Sequence, residues 1–298
     1  MSFKSGFVTV IGRPNVGKST LLNRIIGEKI AIISDKPQTT RNVIRMIMTD
    51  EQYQIIFIDT PGIHKPRNKL GEYMVDIAQN SMNQTDVIIM MTDELTGAPG
   101  PGDEYILKQL EKTQTPVILV INKTDTVPKS NILKVIQEYS TKFDFVAVVP
   151  ISAQNGDGVN ELINEIKKLL PEGPMYFPED EITDQPERQI VAEYIREKIL
   201  RMLQDEIPHG TGVEILSFEK REGKELIDIQ ADIYCERDSH KRIIIGSKGS
   251  MLKRIGSEAR QDLEGLLGTK INLQLWVKVR ENWRDNISVL NTLGYKRE

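Results

Sequence analysis

Short, continuous apolar runs alternate with amphipathic stretches through the first 170 residues of the chain. The runs lie at 7–11, 54–58, 87–91, 117–121 and 145–149. Apolar runs without internal alternation are typical of strands buried on both faces of a sheet. Helical stretches such as 130–140 and 158–170 lie between them. The pattern therefore predicts an α/β domain in which βα units surround a mostly parallel sheet with helices on both faces.

The order of elements changes after residue 186. A helical pattern over 186–203 is followed by alternating strands near 213–219 and 226–235. A glycine-containing basic segment at 241–256, a helix ending near 267 and a strand at 271–279 complete the chain. This order predicts a smaller α+β domain.

The stretch 171–186 separates these two patterns. It holds four prolines, two acidic clusters and little apolar periodicity, which is typical of a connection. A chain of 298 residues also has the length of two domains. We predict domains over 1–172 and 186–298, joined by a linker at 173–185 that packs on one of them.

The amino-acid composition excludes several classes of protein. Hydrophobic residues make up 39% and charged residues 28%, as in soluble globular proteins. No apolar run approaches the length of a membrane span, and the N-terminus lacks the pattern of a signal peptide. The single cysteine, Cys235, excludes an internal disulfide, and we expect it to be a packing residue. A net charge of −4 argues against indiscriminate binding of polyanions.

The first apolar run leads into a G-x-x-x-x-G-K-S motif, which consists of Gly12, Arg13, Pro14, Asn15, Val16, Gly17, Lys18 and Ser19, with Thr20 following. Such a loop directs backbone N–H groups and a helix N-terminus at an anion. Gly17 allows close approach, Lys18 neutralises phosphate oxygens and Ser19 supplies a hydroxyl to Mg²⁺. The motif predicts a nucleotide-phosphate site.

Asp59, Thr60, Pro61 and Gly62 follow the second run. A carboxylate at this strand end suits a contact with Mg²⁺ through water, and Gly62 lets a backbone N–H approach a γ-phosphate. Taken alone, the tetrapeptide also fits a simple Pro-Gly turn. Its place 40 residues after the phosphate motif favours the nucleotide interpretation.

Asn122, Lys123, Thr124 and Asp125 follow the run 117–121. The Asp125 carboxylate can accept hydrogen bonds from N1–H and the exocyclic amine of guanine. Adenine lacks both donors, so the site would reject it. Ser152 and Ala153 follow the last run, and their backbone N–H groups are candidates for contact with guanine O6.

With these four patterns in this order, the segment 1–170 resembles a Ras-like GTPase domain of the translation-factor class. The resemblance implies Mg²⁺-dependent hydrolysis of GTP to GDP in a crevice at the strand ends. By position, 30–42 is the first switch loop, where a threonine would ligate Mg²⁺. Thr39 and Thr40 are both candidates, and the resemblance favours Thr40. The implied catalytic residues are Lys18, Thr40, Gly62 and Asn15.

Ile63 occupies the position at which Ras-like proteins carry a glutamine that orients water. The chain resembles GTPases in which a hydrophobic residue replaces this glutamine. His64 is either a substitute or an ordinary switch-loop residue. Relatives with an asparagine at the position of Asn15 bind K⁺ there, which implies slow, K⁺-stimulated hydrolysis; alternatively, Asn15 is only a turn residue. The sequence assigns no arginine finger.

In the second domain, Gly246, Ser247, Lys248 and Gly249 form a G-x-x-G pattern between two helical segments. Such a loop clamps about four single-stranded nucleotides. Alone, it also fits a glycine turn. Seven Lys and Arg stand against three Asp and Glu over 236–260, which favours RNA. Predicted RNA contacts are Ile245, Gly246, Ser247, Lys248, Gly249, Lys253 and Arg254. Bases are expected against Ile244, Ile245 and Ile255. Trp276 and Trp283 either stack on bases or pack in the core, and we favour the core.

The order α-β-β-α-α-β resembles a KH domain of the bacterial type. The whole chain resembles the family of bacterial GTPases that carry one C-terminal KH domain. That resemblance implies binding near the 3′ end of small-subunit ribosomal RNA and a role in 30S assembly. It also implies a cytoplasmic monomer with loose peripheral membrane association. Two alternatives stay open, an RNA-binding protein in which nucleotide is structural and a membrane-associated GTPase.

Overall fold

The computed structural model describes residues 2–63 and 65–296, and His64 lies outside this part of the chain. By contacts, the chain divides into two compact units. Unit 1 comprises Met1–Ala31, Thr40–Lys65 and Met74–Asp184. Unit 2 comprises Gln185–Glu298 together with the short segments Ile32–Thr39 and Pro66–Tyr73.

Unit 1 contains a six-stranded sheet. Its strands are β1 (Lys4–Gly12), β2 (Ile44–Asp50), β3 (Tyr53–Asp59), β4 (Val87–Thr92), β5 (Val117–Ile121) and β6 (Ala147–Pro150). The spatial order is β2-β3-β1-β4-β5-β6, and every pair is parallel except β2 with β3. All residues of β3, β4 and β5 are buried, as expected for strands covered on both faces.

Helices cover both faces of this sheet. They are α1 (Lys18–Ile26), α2 (Lys69–Asn83), α3 (Pro101–Leu110), α4 (Lys129–Ser140) and α5 (Val159–Leu169). One core includes Leu22 of α1 and Ile166 of α5. The other includes Ile106 of α3 and Val135 of α4. The predicted fold class, a mostly parallel sheet with helices on both faces, is confirmed.

Two strands differ from the sequence-based expectation. Strand β2 was not predicted, because it lies at the edge of the sheet and its buried residues Ile44, Met46 and Ile47 are interrupted by the exposed Arg45 and followed by partly buried and exposed positions. Strand β6 begins at Ala147, later than expected. Phe145 instead packs beside Phe143, with ring centroids 5.0 Å apart, against the core on the α3 and α4 face.

The proline-rich acidic segment after α5 is bonded along unit 1. The backbone N–H of Ser5 donates to the Pro171 carbonyl at 3.2 Å. The fully buried Gln54 side chain donates to the Phe177 carbonyl at 2.9 Å and accepts from the N–H groups of Tyr176 and Phe177. These bonds give the segment an ordered path although it has no helix or strand.

Unit 2 contains a three-stranded sheet of β7 (Gly212–Lys220), β8 (Leu226–Cys235) and β9 (Lys270–Val279), in that spatial order. The β7–β8 pair is antiparallel and the β8–β9 pair is parallel. Its helices are α6 (Glu187–Met202), α7 (Asp238–Ile245), α8 (Ser250–Leu267) and α9 (Ile287–Thr292). The order of the first six elements confirms the predicted α+β domain.

The core of unit 2 lies between α6, α8 and one face of the sheet. Alternate β8 residues, among them Ile233 and Cys235, are fully buried there, so the packing role predicted for Cys235 is confirmed. Trp283 is also buried, and its Nε1–H donates to the Gly210 carbonyl at 2.9 Å. The expectation that Trp276 is a core residue was wrong, because this side chain is 43% exposed.

Among the helices of the described residues, none combines the length and the apolar character that crossing a bilayer requires.

Candidate functional site

The phosphate motif forms the connection between β1 and α1. Gly17, just before the helix, has a φ of 104°, in the left-handed region that favours glycine. A Cβ at Gly17 would lie 2.3 Å from the Asn122 amide nitrogen, and one at Gly12 would lie 2.3 Å from the Met91 carbonyl oxygen. Close packing therefore requires glycine at both positions, and at Gly17 the backbone conformation requires it as well.

The Lys18 side chain folds back over this loop. Its ammonium group donates to the carbonyls of Arg13, at 3.2 Å, and Gly12, at 3.4 Å. Burial lowers the pKa of Lys18 to about 8, while the nearby Asp59 carboxylate acts in the opposite direction. A phosphate bound by the loop would favour the charged form of Lys18.

Three oxygen-bearing side chains meet beside the lysine. The Ser19 hydroxyl donates to Asp59 Oδ2 at 2.7 Å and lies 3.1 Å from the Thr40 hydroxyl. Thr40 in turn lies 3.4 Å from Asp59 Oδ2. Thr39 points its hydroxyl elsewhere, donating to the Lys36 carbonyl at 2.6 Å. Of the two candidate threonines, Thr40 is the one whose hydroxyl joins Ser19 and Asp59.

The donor set fits Mg²⁺. Asp59 is fully buried, and its Oδ1 has no hydrogen-bond partner. Burial raises the pKa of the Asp59 carboxyl, and Lys18, Ser19 and Thr40 oppose this shift. Hydroxyl and carboxylate oxygens are the ligands that Mg²⁺ prefers, and a water bound to the ion would satisfy the unpartnered oxygen. Within 2–63 and 65–296, no group of three or more His, Cys, Asp or Glu side chains could hold a metal ion.

The segment after β3 lies against the phosphate loop. A Cβ at Gly62 would lie 2.7 Å from the backbone nitrogen of Pro14, so only glycine fits at this approach. The Thr60 hydroxyl donates to the Val10 carbonyl at 2.7 Å. Ile63 is only 3% exposed and packs in the core, so its side chain has no means of orienting water.

The motif after β5 is bonded to the phosphate loop. Asn122 donates to the Val16 carbonyl at 2.8 Å, and Lys123 donates to the Asn15 carbonyl at 3.1 Å. Lys123 also pairs with Asp93 at 2.6 Å. The structure thus brings together two motifs that are more than 100 positions apart in the sequence.

Asp125 is exposed in a short 3₁₀ turn over Thr124–Thr126. The N–H of Ser152 donates to the Asp157 carbonyl at 2.9 Å, and the N–H of Ala153 donates to Asn122 Oδ1 at 2.9 Å. The contact with guanine O6 that the sequence suggested would therefore require one of these bonds to be shared.

The remaining residues of the phosphate motif have separate environments. Asn15 is exposed with a φ of 66°, whereas Val16 is buried in the core. Thr20 lies in the first turn of α1. The Arg13 guanidinium is bonded to two carboxylates, those of Asp93 and Asp103. Sequence reasoning missed both carboxylates, because neither belongs to a recognisable motif.

The G-x-x-G pattern forms the connection between α7 and α8. Gly246 has a φ of 73° and Gly249 a φ of 79°. Ser247 and Lys248 between them are exposed, as are Lys253 and Arg254 on the first turns of α8. Ile245, at the end of α7, is partly buried. The predicted RNA-contact residues therefore cluster around one exposed loop.

Two predicted base contacts are wrong. Ile244 and Ile255 are fully buried in the core of unit 2, so no base can pack against them. Beside the loop lies a groove of about 470 Å³ between α8 and β9. Its apolar lining includes Leu252, Leu273 and Leu275.

Sequence reasoning missed the contribution of β9 to this groove. The alternation of Leu273 and Leu275 indicated a buried face, but both side chains are only partly buried at the edge of the sheet. A Cβ at Gly256 of α8 would lie 3.3 Å from Leu275 Cδ1, which shows how closely helix and strand approach. A glycine in the middle of an amphipathic helix was the available signal.

Two family models match the chain. The model of 50S ribosome-binding GTPases matches residues 7–123, and the KH-domain model matches residues 206–284. These are the regions that contain the phosphate motif and the exposed glycine loop.

Relatives match over nearly the full length. GTPase Era of Alkaliphilus oremlandii is 57% identical over 99% of this chain and 100% of its own. GTPase Era of Clostridioides difficile is 55% identical over 98% of this chain and 99% of its own. Among solved structures, a variant of Aquifex aeolicus Era bound to GDP and AlF₄⁻ is 41% identical over 99% of this chain and all of its own, with a TM-score of 0.95.

An Era structure in complex with MgGDPNP and nucleotides 1506–1542 of 16S ribosomal RNA is 42% identical, also with a TM-score of 0.95, over 99% of this chain and 100% of its own. The fold, the phosphate motif, the KH domain and relatives more than half identical along the whole chain agree. The chain is a GTPase and belongs to the Era family.

Proposed function

We propose that this GTPase is a molecular switch in the maturation of the small ribosomal subunit, in which GTP favours binding to the 3′ end region of 16S ribosomal RNA and hydrolysis favours release. One observation carries the proposal. A complete set of nucleotide-binding motifs and an exposed G-x-x-G loop with its groove occur in one chain. The Era structure that holds both MgGDPNP and a 16S fragment supports it.

For the nucleotide, we assign the phosphates to the loop 12–19, with Lys18 and the Gly62 N–H facing the γ-phosphate. Ser19 and Thr40 would ligate Mg²⁺ directly, and Asp59 through water. The ion would neutralise charge on the phosphate oxygens. The close bonding of Ser19, Thr40 and Asp59 and the unpartnered Asp59 Oδ1 support these roles.

For the base, we assign guanine recognition to Asp125, in a loop held by Asn122 and Lys123. Asp125 is exposed and follows a strand end, where a ligand can reach its carboxylate. Ser152 and Ala153 would line the same side of the base.

For the chemistry, we propose slow hydrolysis stimulated by K⁺ bound near Asn15. The burial of Ile63 supports slow chemistry, since no side chain at that position can hold the attacking water. Hydrolysis rates in K⁺ and Na⁺ buffers of equal ionic strength test the idea. A higher rate in K⁺ that Asn15→Ala abolishes is expected, and equal rates in both buffers would rule out the role of K⁺.

For RNA, we propose that the loop 246–249 clamps the sugar–phosphate backbone, with Ile245, Lys253 and Arg254 around it. Glycines permit a main chain to approach phosphates closely, and the partly apolar groove between α8 and β9 can accept unstacked bases. Exposed Lys248 and Lys253 supply positive charge at the loop.

The decisive experiment measures affinity for an RNA with the sequence of nucleotides 1506–1542, using protein loaded with a GTP analogue, with GDP or with no nucleotide. We expect the tightest binding with the analogue. Gly246→Asp and Lys248→Glu should each weaken RNA binding by about tenfold, because they place negative charge at the clamp, and should leave GDP affinity unchanged. Lys224→Glu, in the β7–β8 turn, is the matched control.

The alternative outcomes separate the candidate functions. RNA affinity that is equal in all three nucleotide states would replace the switch with an RNA-binding protein in which nucleotide is structural. Wild-type RNA affinity in both loop variants would remove the clamp.

We also propose that the protein is a cytoplasmic monomer that associates loosely with the membrane surface, with a GTPase domain over 1–172, a linker at 173–185 and an RNA-binding domain over 186–298. Sedimentation of the protein alone and with anionic vesicles tests the monomer and the membrane contact. A stable dimer would contradict the monomer. The absence of co-sedimentation with vesicles at low salt would contradict the membrane contact.

A further inference from the structure

The Arg13 side chain in unit 1 joins the phosphate loop to two neighbouring elements. Its Nη2 donates to Asp93 Oδ1 at 2.9 Å, directly after β4. Its Nε donates at 3.1 Å to Oδ1 of Asp103, which lies in the first turn of α3. Two different nitrogens of one planar guanidinium are thus bonded to two carboxylates, a geometry that a lysine ammonium on its flexible stem does not reproduce.

Asp103 is fixed from several sides. Its side chain is fully buried and also accepts hydrogen bonds from the Tyr139 hydroxyl at 2.8 Å and the Thr92 hydroxyl at 3.1 Å. Burial raises the pKa of the Asp103 carboxyl, and the bonds from Tyr139, Thr92 and Arg13 oppose that shift. A carboxylate with these partners presents a rigid acceptor to Arg13.

The fold also leaves room for the arginine stem. A Cβ at Gly102, in the first turn of α3, would lie only 2.6 Å from Arg13 Cδ. The absence of a side chain at Gly102 therefore lets the stem lie across the start of this helix. This close approach is independent of the ion pairs and indicates the same arrangement.

Asp93 connects the arginine to the guanine-recognition motif. Its Oδ1 accepts from Arg13, and its Oδ2 accepts from Lys123 Nζ at 2.6 Å. Lys123 donates in addition to the Asn15 carbonyl of the phosphate loop at 3.1 Å. The carboxylate is only 23% exposed, so both ion pairs are partly shielded from water.

We propose that Arg13 and Asp93 are positioning residues that hold the phosphate loop and the guanine-recognition motif in one fixed arrangement, and that this arrangement sets how long the nucleotide stays bound. A loop that is ordered before the ligand arrives does not lose conformational entropy on binding. Without the Asp93 bridge, the loop would become ordered only when nucleotide binds. The entropy lost in that step would weaken binding of GDP and of GTP alike. In this role Arg13 acts through the loop and takes no part in the chemical step.

The test measures dissociation of fluorescent GDP and of a fluorescent GTP analogue from the full-length protein. Arg13→Gln and Asp93→Asn are each expected to speed release of both nucleotides by about tenfold. The double variant should release nucleotide no faster than about the faster single variant, because both changes remove the same link. Arg13→Lys should resemble Arg13→Gln, since one ammonium cannot replace both bonds.

A second readout separates positioning from catalysis. Single-turnover hydrolysis at saturating GTP should stay within about threefold of wild type in Asp93→Asn, whose side chain lies outside the nucleotide motifs. Arg45→Gln is the matched control, because Arg45 lies on the edge strand β2 and forms an ion pair with Asp184. This variant should leave nucleotide release unchanged. Thermal unfolding verifies that each variant is folded.

Unchanged release in Asp93→Asn, or effects of the two single variants that multiply in the double variant, would overturn the proposed link. Hydrolysis that falls in Arg13→Gln while GDP release stays at the wild-type rate would instead make Arg13 a catalytic residue.

Discussion

Each unit presents a glycine-containing loop to a phosphate-bearing ligand, but the two loops differ in how much of each is enclosed. In the phosphate loop of unit 1, a Cβ at Gly12 would lie 2.3 Å from a backbone carbonyl oxygen. In the G-x-x-G loop of unit 2, a Cβ at Gly249 would meet nothing within 4 Å. The first loop is enclosed by its own protein. The second is closely packed at Gly246, where a Cβ would lie 2.8 Å from the Met251 backbone nitrogen, and open at its final glycine.

The bonds around the loops differ in the same way. Side chains from elsewhere in unit 1, those of Asn122 and Lys123, donate to carbonyls of the phosphate loop. The open loop is held by local backbone bonds, from the Gly246 N–H to the Arg242 carbonyl and from the Gly249 N–H to the Gly246 carbonyl. A preformed loop suits one small ligand of fixed geometry, whereas an open loop suits a flexible polymer.

The largest expected effect separates the two loops directly. Gly12→Ala should lower GDP affinity by more than about 100-fold, because the new methyl group displaces the backbone of β4 or of the loop, at a cost of about 3 kcal/mol or more. Gly249→Ala should leave GDP affinity unchanged and cost only about 1 kcal/mol of stability through its positive φ. Fluorescent GDP titration and thermal unfolding measure both, and wild-type GDP affinity in Gly12→Ala would contradict the enclosed description.

Recognition of the guanine base should be confined to unit 1. Asp125→Asn should weaken GTP binding by about 100-fold and admit xanthosine nucleotides, because the amide donates where the carboxylate accepted from guanine. RNA affinity measured without nucleotide should not change. Competition between GTP and XTP in a nucleotide-binding assay measures the effect, and an unchanged preference for GTP would remove Asp125 from the base contact.

Ile63, at the position where Ras-like proteins carry a catalytic glutamine, is also enclosed by the protein. Ile63→Gln should not accelerate single-turnover hydrolysis by more than about threefold. It should lower the free energy of unfolding by about 1–3 kcal/mol, since it buries an amide in an apolar core. A large acceleration would show that this segment rearranges when nucleotide binds. Ile63→Val is the matched control for lost volume.

The smallest effect concerns charge around the open loop. Lys253→Gln should weaken RNA binding only a few-fold and reduce the slope of log affinity against log salt by about 0.7, as expected for one lost phosphate contact. Arg221→Gln, at the β7–β8 turn, is the control, because its guanidinium is paired with Asp228. An unchanged slope in Lys253→Gln would place this lysine outside the RNA contact.

Local patterns predicted much of both regions. The phosphate motif was recognisable because its residues are contiguous and lie between an apolar run and a helix. The order of elements in unit 2 followed from alternating and helical periodicity. Strand β2 was missed because an edge strand need not be apolar, and the burial of Ile244 and Ile255 was missed because a helix in contact with a core also borders the loop.

The sequence by itself determined the two-part organisation, the fold class of each part and the residue types of the nucleotide motifs, because these depend on short-range periodicity and contiguous spacing. Only the tertiary structure placed the Thr40 hydroxyl, and not that of Thr39, beside Ser19 and Asp59. It also brought β9 to the groove, bonded Arg13 to Asp93 and Asp103, and bonded Asp93 to Lys123. Those contacts link residues that are distant in the chain, and pairings of that kind leave no periodic signal in one sequence.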